Sequence, residues 1–243
     1  MHTEILDYLQ DQNIVVPLLA ALFGGSLSMA GSVVAVWRTN RHARIERENE
    51  REELLAGKAY EAFFKLLDGY NFIGHLNREI DQMFDNASED GDEDMEPSAK
   101  VMAIVGAEMP PEQIHASEVA FLIGEKNAEL LNDVHLIQRR IANTYAVIST
   151  YNELRLEFQK FLEESFKNAD LSAGTRMSTS LEGADATRAE MRISAMNNLL
   201  GQIMENLEQD IPESWRVLSE FNQVASERFG DKYPKFKLKR IDV

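Results

Sequence analysis

The sequence predicts an all-α protein: a single membrane-spanning helix near the amino terminus, a charged helical stalk, and a cytoplasmic bundle of about four main helices. Three observations carry that expectation. Residues 14–37 hold 24 positions without a charged side chain. Apolar residues then recur three and four apart over most of the chain, and no run alternates apolar and polar residues as a half-buried strand requires.

Residues 1–13 read as a short external amino terminus, with Glu4, Asp7 and Asp11 and no Lys or Arg. The segment 14–37, IVVPLLAALFGGSLSMAGSVVAVW, would reach about 36 Å as a helix, enough for a hydrocarbon core of about 30 Å. Arg38, Arg41, Arg44, Arg47 and Arg51 follow it at once. Basic residues flanking a span stay on the cytoplasmic side, so the expectation is a single-pass protein of the bacterial inner membrane, amino terminus outside and large domain inside. A cleaved signal peptide would want a basic leading region and a shorter apolar stretch, and neither is present. A soluble core helix would carry charge on its outward face. Within the span Ala20, Gly24, Ser28 and Ser32 fall every four residues, with Gly31 beside the same stripe. Small residues at that spacing let helix backbones approach in lipid, which predicts a homo-oligomer.

Residues 38–54 are too polar to pack and read as an exposed stalk, held by pairs such as Arg44 with Glu48. The bundle, 55–230, starts with a helix to about Asp85, marked by Leu55, Ala59, Ala62, Leu66, Tyr70, Ile73, Ile80 and Phe84. Residues 85–97 form an acidic loop, with seven acids in the twelve positions before Pro97. A calcium-loop register built on Gly91 puts Pro97 where a bidentate Glu is needed, which favours a solvated loop. A short helix over 99–108 precedes a long one over 112–166, which Gly124 could divide. Leu131, Val134, Ile137, Ile141, Tyr145, Ile148, Tyr151, Phe158 and Leu162 form its stripe. After a loop over 168–184, Ile193, Met196, Leu200, Ile203 and Leu207 mark a third helix with a coiled-coil-like seam. Pro212 suits the first turn of a fourth, with Trp215, Leu218, Phe221, Ala225 and Phe229 as its buried face and Gly230 as its cap.

Few residues of the chain are arranged for chemistry. With 41 Asp and Glu against 25 Lys and Arg, the chain carries a net charge of −16, which disfavours nucleic acid as a partner. There is no cysteine, so disulfides, thiolate nucleophiles and Cys-ligated metals are excluded. None of the five histidines, His2, His42, His75, His115 and His135, pairs with another at ligand spacing. Glu112 and His115 would share a helical face as in di-iron bundles, but those need a second such pair and two more glutamates. No metal, cofactor or catalytic residue is therefore expected. One local inversion of sign remains, the basic tail 231–243, in which Lys235, Lys237 and Lys239 alternate with Phe236 and Leu238 and Arg240 follows. Extended, such a tail would set charge on one side, either facing anionic lipid or neutralising the bundle. The leading expectation is a membrane-tethered interaction protein that recruits an unknown cytoplasmic protein partner. The alternative is a membrane sensor or effector, of stress or phage-defence type, whose clustered spans disturb the bilayer.

Overall fold

The computed structural model describes residues 12–89, 94–105, 110–165 and 181–240, and among them all regular structure is helical. The elements are α1 (Gln12–Glu89), α2 (Pro97–Lys100), α3 (Ala120–Gly124), α4 (Ala128–Ser165) and α5 (Ala184–Phe229), with a 3-10 turn at Gly230–Lys232. The contacts divide into two compact units, 1–54 and 55–243. Most of the amino-terminal segment 1–13, residues 90–93 of the acidic loop, residues 106–108 of the helix expected over 99–108, most of the 168–184 loop and the last three residues of the tail lie outside the described residues.

In the first unit α1 is a lone helix. It carries Pro17 inside its second turn, where the missing N–H leaves the Asn13 carbonyl without its helical partner. The apolar side chains described between Val16 and Trp37 are exposed all round the helix.

The second unit is built on three long helices rather than four. α1 continues through the expected start of the acidic loop and ends only at Glu89. The third and fourth helices expected from the sequence are one, α5, with Pro212 inside it. A buried stripe of Ile203, Leu207, Ile211, Val217, Leu218 and Phe221 runs past the proline without a break. Pro212 itself is exposed, as is Glu208, whose carbonyl it cannot bond, and packing on both sides offsets a penalty of about 3 kcal/mol. α1 and α4 run parallel: Gly69 lies against Ile141, and Phe72 against Tyr145 with ring centroids 6.4 Å apart. A Cβ on Gly69 would meet the Ile141 side chain at 3.0 Å, so glycine sets this close approach. α5 runs antiparallel to both, pairing Trp215 with Tyr70, Arg216 with Asp133, Asp210 with Arg140 and Arg192 with Glu157.

Two parallel helices in sequence order require a return, and the described residues 94–105 and 110–127 belong to it. This strap runs back along the bundle from Ser98, beside Asn197, to Phe121, beside Phe221 and Phe229. Of the helix expected over 99–108, the described residues hold a single turn ending at Lys100 with 101–105 irregular, and the expected helical start at Glu112 is irregular chain. α4 begins only at Ala128, where the Asn127 side chain accepts the Leu130 N–H at 3.1 Å, as an N-cap residue does. Just before it Lys126 sits at φ 56°, a left-handed kink that turns α3 into α4.

Candidate functional site

The long apolar run lies at the start of α1. The helix is long and apolar enough from Ala20 onward to cross a membrane, and none of its most apolar window is buried within the chain. Leu22, Phe23, Met29, Val33, Val34, Val36 and Trp37 are each at least 59% exposed. Hydroxyls along it bond back to the helix. Ser26 donates to the Phe23 carbonyl at 3.0 Å, Ser32 to the Ser28 carbonyl at 2.9 Å and Thr39 to the Ala35 carbonyl at 3.0 Å, which lowers the cost of placing those groups in lipid. Ala20, Gly24, Ser28, Gly31 and Ser32 are exposed, and nothing lies within 4 Å of a Cβ placed on Gly24 or Gly31.

Arg38, Arg41, Arg44, Arg47 and Arg51 stand exposed on successive turns. Arg44 pairs with Glu48 at 3.4 Å, as its spacing predicts. Arg41 lies over the Trp37 ring, 5.4 Å from its centroid, an aromatic–basic pairing at the end of the apolar run.

The basic tail takes the alternating form expected of it, and its apolar side meets the bundle. Tyr233 is buried, Phe236 and Leu238 pack on the core, and Lys235, Lys237, Lys239 and Arg240 are exposed. Phe236 stacks on Phe63 with centroids 4.4 Å apart and touches Tyr60 and Phe64. Burial drives the Tyr233 phenol well above its ordinary pKa. Among the described residues none of the four cations forms an ion pair.

The Glu112–His115 pair does not share a helical face, because residues 111–117 are not helical. What the segment does contain is a latch. The Lys65 ammonium, from α1, donates to Glu118 at 2.9 Å and to the Gln113 carbonyl at 3.0 Å, and the second Glu118 oxygen accepts the His115 N–H at 3.0 Å. Glu118 is buried. Burial alone would raise its pKa, but the Lys65 and His115 bonds outweigh it and hold the carboxyl below the usual range. Among the described residues no group of three or more His, Asp or Glu is placed to hold a metal ion.

Between α4 and α5 a second buried acid, Asp210, pairs with Arg140 beside a surface cavity of about 340 Å³ lined also by Arg139, Asn143 and Asn206. Burial raises the Asp210 pKa, with Arg140 opposing. Arg216 ties the same helices together by bonding Asp133, Glu213 and Glu220.

The strap rests in a cradle that sequence reasoning missed. The Asn152 amide bonds both main-chain groups of Ile104, accepting its N–H and donating to its C=O, each at 2.9 Å. The Tyr151 hydroxyl donates to the Val101 carbonyl at 2.6 Å, and burial raises its pKa. Asn197 accepts the Ser98 N–H at 2.8 Å and donates to Glu96 at 2.9 Å, while Arg155 donates to the Ser98 carbonyl. Glu79 accepts the Val105 N–H at 2.9 Å. The legible signal was Asn152 and Asn197, each adjoining a buried residue of its helix stripe, Tyr151 and Met196, where a short amide favours main-chain partners over solvent.

No protein family matches this chain, and neither a curated protein nor a solved structure matches it.

Proposed function

We propose that this protein is a single-pass inner-membrane anchor carrying a cytoplasmic helical domain that recruits a protein partner. The observation that supports it most is the exposure of every described large apolar side chain from Val16 to Trp37, ended by the arginine row. Apolar surface of that extent is stable only in lipid or against another span. On this reading the amino terminus lies outside and residues 55–240 lie inside, by the distribution of basic residues. The spans pair through the face of Ala20, Gly24, Ser28, Gly31 and Ser32, so that the bundles are presented as a homo-oligomer and gain avidity. The outward cations Lys235, Lys237, Lys239 and Arg240 are available to anionic headgroups. No cofactor or metal enters this reading, and nucleic acid is not a partner.

Because the chain lacks cysteine, topology can be tested with single substitutions and a thiol reagent that does not cross membranes. Thr3→Cys labels in intact cells, whereas Ser88→Cys labels only after the cells are opened. The reverse pattern overturns the orientation. Recruitment is tested by capturing the tagged full chain from native membranes: a cytoplasmic protein recovered in constant ratio supports it. Recovery of this chain alone, together with depolarisation of cells that overproduce it, overturns it in favour of a membrane-disturbing effector.

A further inference from the structure

We draw no further inference here: the strongest candidate, the surface cavity of about 340 Å³ between α4 and α5 lined by Leu136, Arg139, Arg140, Asn143, Asn206 and Asp210, has its one buried carboxylate, Asp210, already paired with Arg140, and nothing in the structure shows what would occupy it.

Discussion

Phe23 and Phe63 lie on the same helix, α1, and meet opposite surroundings: Phe23 is 67% exposed and Phe63 is fully buried. Before Leu55 the apolar side chains of α1 point outward on every face, whereas after it they gather on one stripe of Ala56, Ala59, Ala62, Phe63, Leu66, Tyr70 and Ile73. The stripe is covered by α4, α5 and the tail, so protein supplies its low-dielectric surroundings. Nothing in the described chain covers the first half. An apolar helix is stable in either setting only if something removes its surface from water, and the two halves of α1 differ in what does so.

The largest effect that would break this comparison is on the buried half. Phe63→Ala should destabilise the bundle by about 3–5 kcal/mol, since Phe63 contacts Phe64, Tyr233 and Phe236. Phe23→Ala should leave the bundle's thermal transition unchanged when both are followed by circular dichroism of the full chain in mild detergent. Equal losses would mean that the first half is packed against protein after all.

Next comes membrane insertion. Phe23→Asp, near the middle of the uncharged run, should oppose insertion by about 3 kcal/mol and shift the chain toward the soluble fraction on membrane fractionation, with Phe23→Leu neutral. An unchanged distribution for the aspartate variant would remove the lipid from the account.

The latch between the strap and α1 gives a smaller, pH-dependent effect. The folded-state pKa of Glu118 is depressed, so its contribution is present above the ordinary carboxylate range and is lost as pH falls through the folded value. Glu118→Gln should lower stability by about 1–3 kcal/mol at neutral pH and flatten the loss of stability on acidification. A variant whose melting temperature falls with pH as steeply as the unsubstituted chain's would show that other carboxyls carry the acid sensitivity.

Smallest is the span's small-residue face. Gly24→Ile should weaken self-association by about 1 kcal/mol, with Leu22→Ile neutral, as read by cross-linking in mild detergent. Equal yields of cross-linked oligomer from both variants would place the contact on another face.

Helix content, the uncharged run and the inward stripes of all three long helices were legible in the sequence, because 3.6-residue periodicity and the absence of charge are local properties of the chain. Ile193 is half-buried, and Met196, Leu200, Ile203 and Leu207 are buried, as their spacing predicts. Helix number was not legible. Pro212 has the same local signature at a helix start as inside a helix, and only the unbroken burial from Ile203 to Phe221 decides that α5 continues. The strap was likewise hidden. Residues 101–105 and 112–119 have adequate helical spacing, but main-chain groups of Val101, Ile104 and Gln113 are taken by Tyr151, Asn152 and Lys65, which lie 48 to 50 positions away. The alternation of Lys235, Phe236, Lys237, Leu238 and Lys239 was written in the chain, but that its apolar side closes on Phe63 was settled by tertiary packing. A sequence states which groups must leave water; the long-range contacts decide what receives them.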